Sequence, residues 1–327
     1  MKIAFVGKGG SGKTTLSSLF VRHLAASGRP VVAVDADINQ HLGAALGLTD
    51  EEAAAVEPLG GRLPLIKEYL RGSNPRIASA DEMIKTTPPG SGSRLLSLTG
   101  DNPVYDACAR RVQLDGGAVR FLATGPFTED DLGVSCYHSK TGAVELMLNH
   151  LRDGAGEYLV VDMTAGADSF ASGMFTRFDA TFLVAEPTRK GVSVYRQYRD
   201  YARSFGVNLR VIGNKVQNAD DAEFLREHVG CDLLVTMGQS EYVRAVEKGR
   251  TPAFATLEPD NRRALATVKE AADAAIRLRD AERWTRQAVE FHLRNARGWG
   301  NARTGRDLAQ QIDPDFRWEE APSPQLV

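Results

Sequence analysis

The chain has 327 residues, 43% of them hydrophobic and 25% charged, a composition typical of folded globular proteins and unlike that of disordered chains. Lys and Arg number 40 against 42 Asp and Glu, so the net charge of −2 does not favour nucleic-acid binding. No apolar run reaches the roughly 18 residues of a transmembrane helix, the N-terminus lacks signal-peptide character, and three cysteines are not a disulfide framework, so we expect a cytoplasmic protein.

Short apolar runs alternate with amphipathic stretches along much of the chain. The predicted strands cover residues 2–6, 31–34, 94–98, 119–123, 158–161, 180–185, 209–213 and 233–235, and the predicted helices cover residues 13–27, 139–152, 192–204, 219–228 and 241–248. Nearly continuous apolar strands that alternate with helices predict an α/β fold, with a mostly parallel central sheet and helices on both faces.

Two parts of the chain depart from this rhythm. Residues 50–133 contain several prolines, including the pair Pro88-Pro89, and predict an elaboration inserted after the second strand, with a mobile tip near residues 86–93. A helical pattern follows residue 260, and the chain turns polar beyond Gly298. We therefore predict one domain over residues 1–282 and a C-terminal helical extension with a loosely held tail over residues 283–327.

A glycine-rich loop follows the first predicted strand and precedes the first predicted helix. It reads Gly7-Lys8-Gly9-Gly10-Ser11-Gly12-Lys13-Thr14 and matches the pattern G-x-x-x-x-G-K-[ST] at every fixed position. Glycines let backbone N–H groups converge on phosphate oxygens, and the helix N-terminus faces the same anion. We expect Lys13 to reach the β- and γ-phosphates and Thr14 to coordinate Mg²⁺, so the loop predicts binding and slow hydrolysis of ATP with Mg²⁺.

The loop has a second lysine directly after its first glycine, and Thr15 follows Thr14. This arrangement resembles the deviant phosphate loop of the P-loop ATPase group that includes MinD, ParA, ArsA and the nitrogenase iron protein. The resemblance implies that Lys8 crosses a dimer interface and touches the partner's nucleotide. It therefore implies a nucleotide-dependent homodimer with the MinD-like fold.

Other positions of that group occur in the same order behind the loop. The pair Asp35 and Asp37 resembles switch I, where Asp37 would position the attacking water and Asp35 would assist around the metal. Asp162 and Gly166 resemble the Walker B and switch II element, in which the aspartate holds Mg²⁺ through water and the glycine senses the γ-phosphate. Taken alone, an aspartate at a strand end often caps a helix instead.

Asn214, followed by Lys215, ends another predicted strand and resembles the asparagine that contacts adenine in this group. An amide offers both a donor and an acceptor to a base edge. A turn asparagine is the alternative interpretation. With the glycine loop, these two residues complete the predicted nucleotide site.

The segment Gly133-Val-Ser-Cys136-Tyr-His138 offers two metal-binding side chains from one side. Closed metal sites usually need four ligands, and two copies of this loop at a dimer axis would supply two thiolates and two imidazoles. The alternative is that Cys136 is inert and buried at the dimer interface while His138 is exposed.

The sequence around these motifs resembles that of the CooC-type ATPases, which are accessory proteins that insert nickel into carbon monoxide dehydrogenase and related enzymes. The resemblance spans about residues 1–260. In that family a Cys-x-Cys loop binds nickel or zinc between subunits, so the resemblance implies Zn²⁺ or Ni²⁺ at Cys136 and His138 and a client metalloenzyme. The present loop departs from the family in having Cys-x-His. An iron–sulfur cluster of the nitrogenase iron-protein type would need a second cysteine shortly after Asp162, and the sequence has none there. Cys108 and Cys231 are interpreted as ordinary small residues without a ligand role.

The stretch from Arg277 to Arg306 carries eight arginines against three acidic residues, with a broken apolar stripe. Such a helix could bind an anionic membrane or an acidic partner, or it could pack across its own domain with the arginines outward. Two function classes therefore remain: a maturation ATPase with a client enzyme, favoured by the Cys-x-His loop, and a positioning ATPase that acts at a membrane or on DNA. Stable nucleic-acid binding is not expected, and membrane binding is the less favoured reading of the tail.

Overall fold

A computed structural model describes residues 1–126, 137–164, 170 and 172–318, and of residues 137–139 it describes the backbone only. The described strands are β1 (Lys2–Gly7), β2 (Val31–Ala36), β3 (Leu96–Ser97), β4 (Arg110–Leu114), β5 (Gly117–Ala123), β6 (Leu151–Arg152), β7 (Tyr158–Met163), β8 (Ala180–Ala185), β9 (Leu209–Val216) and β10 (Leu233–Gly238). The described α-helices are α1 (Lys13–Ala26), α2 (Leu42–Ala45), α3 (Asp50–Ala54), α4 (Leu63–Arg71), α5 (Pro103–Cys108), α6 (Tyr137–Asn149), α7 (Arg189–Phe205), α8 (Ala219–Val229), α9 (Glu241–Glu247), α10 (Pro259–Ala275), α11 (Ala281–Asn295) and α12 (Asn301–Thr304).

Eight of these strands form one sheet in the order β10-β9-β8-β1-β7-β2-β5-β4. Every neighbouring pair is parallel except β4 and β5, which form an antiparallel hairpin at one edge. The central strands β1, β2, β7 and β8 are buried along their whole length, because helices cover both faces and leave two apolar cores. The prediction of a mostly parallel α/β sheet is confirmed.

The segment that departs from the strand–helix rhythm has structure of its own. It contains the hairpin of β4 and β5, and β5 pairs with β2, so residues 117–123 belong to the main sheet. A second, two-stranded parallel sheet joins β3 to β6. The helix predicted to continue to Arg152 therefore ends at Asn149, because residues 151–152 pair with β3 instead.

The structure differs from the sequence-based expectation at the predicted mobile tip. Residues 86–90 are buried, and the Thr87 hydroxyl donates a hydrogen bond of 3.0 Å to Gln311 Oε1. Ser91 donates its backbone N–H to the Asp313 carboxylate at 2.8 Å. The proline- and glycine-rich stretch is ordered because the C-terminal extension covers it, and residues up to Asp313 are correspondingly held rather than loose.

Helix α11 packs against the body of the molecule. Phe291 lies 5.9 Å from Phe175 and 5.6 Å from Phe205, measured between ring centroids. Gln287 is buried and donates from Nε2 to the Phe205 carbonyl at 2.7 Å. Before α11, Arg279 forms ion pairs of 2.7 Å with Asp153 and Asp179. These contacts match the interpretation in which the extension packs across its own domain.

The part of the chain that the structure describes holds no helix long and apolar enough to cross a membrane. The same part holds no group of three or more His, Cys, Asp or Glu side chains disposed to bind a metal ion.

Candidate functional site

The glycine loop connects β1 to α1 at the carboxyl end of the parallel strands, where ligand sites of open α/β sheets lie. Two glycines are required by close contacts. A Cβ at Gly12, where φ is +93°, would lie 2.2 Å from Asn214 Nδ2, and a Cβ at Gly7 would lie 2.6 Å from the Val184 carbonyl oxygen. A Cβ at Gly9 or Gly10 would meet nothing within 4 Å. The loop is therefore tightly packed against the protein at Gly7 and Gly12 and faces open space at Gly9 and Gly10.

The ends of β2 and β7 bring predicted polar residues to the first turn of α1, beside this loop. Lys13, in the first turn of α1, forms an ion pair with Asp37, which follows β2. Thr14 donates its hydroxyl hydrogen to Asp162 Oδ2, near the end of β7, at 2.5 Å. Strand pairing places Asp35 directly opposite Asp162. The structure therefore brings these five residues together at one place, the mouth of the glycine loop.

Asp35 holds the backbone turn that follows β2. It is fully buried, and its two carboxylate oxygens accept the backbone N–H of Asp37 at 3.1 Å and of Leu42 at 2.7 Å. Burial, and then the nearby charge of Asp162, raise the pKa of Asp35 to about 8. Asp35 therefore fixes the backbone turn that presents Asp37.

Asp162 is fully buried, and its Oδ1 atom has no hydrogen-bond partner among the described residues. Burial raises the pKa of Asp162 to about 6, although the Lys13 ammonium and the Thr14 hydroxyl oppose the shift. Burial alone would lower the pKa of Lys13, but the surrounding carboxylates outweigh it and raise that pKa. The site thus concentrates negative charge around one ammonium.

The far side of the loop is held by two residues near the end of β9. Asn214 is buried and donates from Nδ2 to the Ser11 carbonyl at 2.8 Å, so part of its amide is used to brace the loop. Lys215 adopts a left-handed backbone with φ of 59° and donates to the Gly10 carbonyl at 2.7 Å.

Glu186 is a site residue to which sequence reasoning gave no role. Its carboxylate pairs with Lys8 at 3.2 Å and with Lys215 at 2.7 Å, and these two lysines hold its pKa below the usual range against the opposing effect of burial. The signal in the sequence is the acidic residue directly after β8, at the same sheet edge as the loop. Lys8 itself is one-third exposed, with 36% of its side chain accessible.

Some predicted residues do not take part in these contacts. Thr15 lies in the first turn of α1, where its carbonyl accepts the Ser18 hydroxyl at 2.9 Å. Gly166 and Cys136 lie outside the described residues, and so does the side chain of His138. Cys108 is buried at the end of α5, and Cys231 is exposed.

Comparisons with known proteins agree with this geometry. A family model described as the CobQ/CobB/MinD/ParA nucleotide binding domain matches residues 3–253. An ATP-binding protein of Methanocaldococcus jannaschii is 29% identical over 238 residues, which is 72% of this chain and 83% of the relative. The carbon monoxide dehydrogenase accessory protein CooC of Rhodospirillum rubrum is 27% identical over 250 residues, covering 76% of this chain and 87% of CooC.

Solved structures share the fold at low identity. The septum site-determining protein MinD of Pyrococcus horikoshii, complexed with Mg-ADP, has a TM-score of 0.53 and 18% identity, covering 83% of this chain and 93% of that one. A variant of Cyanothece McdA in complex with ATP has a TM-score of 0.53 and 17% identity, covering 83% and 95%. With the family match over most of its length, the chain belongs to the CobQ/CobB/MinD/ParA family of ATP-binding P-loop ATPases.

Proposed function

We propose that the chain binds ATP with Mg²⁺ at residues 7–14, hydrolyses it slowly, and changes its association with a second copy as it does so. The observation that carries the proposal is the meeting of Lys13, Thr14 and Asp162 at the mouth of an open glycine loop. These are the side chains that a P-loop uses toward phosphate and metal.

The donor set around Thr14 fits a magnesium ion. Mg²⁺ prefers oxygen ligands and keeps several waters, and a P-loop supplies a hydroxyl and a nearby aspartate. Here the Thr14 hydroxyl contacts Asp162, whose second carboxylate oxygen is buried without a partner in the described structure. Thr14 and Asp162 would hold the ion, which when bound would offset the negative charge of the phosphates and of this carboxylate.

The ion pair between Lys13 and Asp37 suggests how binding prepares catalysis. Phosphate oxygens would compete for the Lys13 ammonium, and the Asp37 carboxylate would then lose its partner. The backbone N–H of Asn39 donates to Asp37 Oδ1 at 3.1 Å and would keep the freed carboxylate oriented. A carboxylate held in this way can orient the attacking water and accept its proton.

The contact between Lys8 and Glu186 supports a role for Lys8 in assembly. Its ammonium is partly exposed and held by a single carboxylate that Lys215 also binds, so Lys8 can leave without stranding a buried charge. We propose that in the ATP-bound dimer Lys8 moves to the nucleotide of the second copy.

Calorimetry and light scattering test these steps together. Lys13→Ala should abolish ATP binding, whereas Asp37→Ala should bind ATP, stop turnover and accumulate the dimer. Lys8→Ala should lose the ATP-dependent dimer, while the control variant Lys248→Ala, which removes an exposed lysine at the end of α9, should keep it. Unchanged ATP affinity in Lys13→Ala would refute the site. An ATP-dependent dimer that persists in Lys8→Ala would refute the role of Lys8.

The relationship to CooC supports a more specific proposal, in which the chain is an accessory protein that helps to mature a metalloenzyme. Two copies of the Cys136 and His138 loop would then bind Zn²⁺ or Ni²⁺ between the subunits. Metal titration of the full chain, with and without ATP, should give one metal per two chains. Cys136→Ser should remove this binding, and His138→Cys should tighten it because thiolates suit soft metals. Equal binding by the parent and Cys136→Ser would refute the metal site.

The positioning-ATPase alternative has less support. The apolar residues of the tail that a membrane would need are in part engaged inside the molecule, since Phe291 packs against two other rings. The similarity to MinD structures, at 18% identity, supports the fold and does not support a positioning role.

A further inference from the structure

An apolar groove of about 380 Å³ lies where α4, α6 and the C-terminal extension meet. Leu63, Met83 and Ile84 form its apolar part, and Gly142 of α6 borders it. Trp299 forms a wall and keeps 40% of its surface exposed, which makes it one of the few large exposed apolar side chains of the described structure. We refer to this feature as the Trp299 groove.

The Trp299 groove is lined by three cations, and none of its described lining residues is acidic. Lys85 has a distant partner, since its ammonium lies 3.8 Å from Glu145. Arg303 stacks 5.5 Å above the Trp299 ring, and its guanidinium donates to backbone carbonyls, of which Met83 lies at 3.2 Å. Carbonyls satisfy the donors of Arg303 but do not neutralise its charge.

Lys67 is the most buried of the three cations that line the groove. Only 7% of its surface is exposed, and its ammonium pairs with no described residue but is not among the fully buried unpartnered polar atoms, so it still reaches solvent at the groove. Burial, followed by the positive charge of Arg303, lowers the pKa of Lys67, and Asp81 only partly offsets this. The buried stem directs this ammonium into the groove, where a carboxylate at hydrogen-bond distance would form a charge-assisted hydrogen bond with it.

We propose that the Trp299 groove docks a segment of a partner protein that presents an apolar side chain beside at least one carboxylate. The apolar side chain would pack against Trp299 and the half-buried Leu63, and the carboxylate would pair with Lys67. Exposed tryptophan and arginine next to a desolvated pocket are the residues that dominate protein interfaces. Charge complementarity favours an acidic partner segment over a basic or neutral one, because every charged side chain that lines the groove is positive.

The groove borders α6, the helix that also contains His138. A partner segment bound there would lie on the helix in which the Cys-x-His segment ends. The proposal deepens the accessory role and rests on it in requiring a partner protein, but it does not require nucleotide or metal binding.

The test uses a displayed library of random 12-residue peptides, selected against the full-length chain. Enriched peptides should combine apolar residues with Asp or Glu, and a labelled representative should bind the parent in a fluorescence anisotropy titration. Lys67→Met retains the length of the side chain without its charge and should weaken binding about tenfold or more. Trp299→Ala, a second variant at an exposed position, should weaken binding as well, and thermal unfolding would verify that both variants are folded.

Two controls separate the possible outcomes. Lys248→Met removes an exposed lysine at the end of α9 and should leave binding unchanged, and Lys13→Ala should bind the peptide as well as the parent even if it no longer binds ATP. The proposal is overturned if no peptide is enriched, if the enriched peptides lack acidic residues, or if Lys67→Met binds like the parent. It is also overturned if the groove variants change the oligomeric state or abolish binding to vesicles of anionic lipid, because a second copy or a membrane would then be the occupant.

Discussion

Replacing Asp162 by asparagine should stabilise the nucleotide-free protein at pH 8 and remove its response to ATP with Mg²⁺. Three carboxylates share the neighbourhood of Lys13, and Asp162 is fully buried with one oxygen unpartnered in the described structure. Asparagine keeps an oxygen for the Thr14 hydroxyl and removes a charge. The same change removes the carboxylate that we propose for the magnesium site, so stability and function should move in opposite directions.

The magnitude follows from the pKa of Asp162, which rises from an ordinary value of 3.8 to about 6. At about 1.4 kcal/mol per pKa unit, the ionised carboxylate costs the folded state at most about 3 kcal/mol. A raised carboxyl pKa means that this cost is fully present above pH 6 and disappears as the pH falls from 6 toward 3.8. We therefore expect Asp162→Asn to gain roughly 1–3 kcal/mol at pH 8, and the gain to shrink toward pH 4.

Urea unfolding followed by tryptophan fluorescence measures both effects. At pH 8 without nucleotide the variant should unfold at higher urea than the parent, whereas saturating ATP with Mg²⁺ should shift only the parent upward. Asp200→Asn, at an exposed position in α7, is the matched control and should change stability by less than about 0.5 kcal/mol. A variant that is no more stable than the parent at pH 8, or one that retains the full shift with ATP, would refute the reasoning.

Three further outcomes are expected. Gly12→Ala should lose ATP binding in calorimetry because the added methyl would overlap the amide that braces the loop, whereas Gly9→Ala, where space is open, should bind ATP like the parent. Arg279→Leu should lower the free energy of unfolding by roughly 2–4 kcal/mol because it removes the guanidinium shared by two buried carboxylates, of which Asp153 keeps the N-terminal ammonium and Asp179 keeps the Lys2 backbone N–H. Arg294→Leu, which breaks an exposed pair within α11, should cost at most about 1 kcal/mol. Vesicles of anionic lipid should not co-sediment the protein, and sedimentation that depends on the tail would contradict the packing of α11.

The sequence was sufficient for the elements whose patterns are local. A buried parallel strand is a continuous apolar run, and a glycine loop between a strand and a helix has fixed spacing, so β1, the loop and α1 could be predicted together. The roles of Asp37 and Asp162 beside Lys13 were implied by the resemblance to the ATPase group, and the structure places both side chains at the carboxyl edge of the sheet with Lys13.

Features that depend on distant contacts could not be read in this way. The proline-rich stretch at residues 86–90 has the composition of a mobile loop and is buried because Gln311 and Asp313 reach it from the other end of the chain. Glu186 is one acidic residue among many in the sequence, and only the fold shows that it binds Lys8 and Lys215 together. A resemblance to a family can supply roles for motif positions, but it cannot supply contacts made by an insertion.

The cover over residues 86–90 has a consequence during protein synthesis. Thr87 is made 224 residues before its partner Gln311. At translation rates of about 5–20 residues per second, the stretch stays uncovered for roughly 10–45 s while the rest of the sheet is being completed. During this interval the buried side chains around Thr87 are open to non-native association or to a chaperone. We therefore expect the inserted region to become protected from proteolysis only after Gln311 and Asp313 have been made, later than the glycine loop and its sheet.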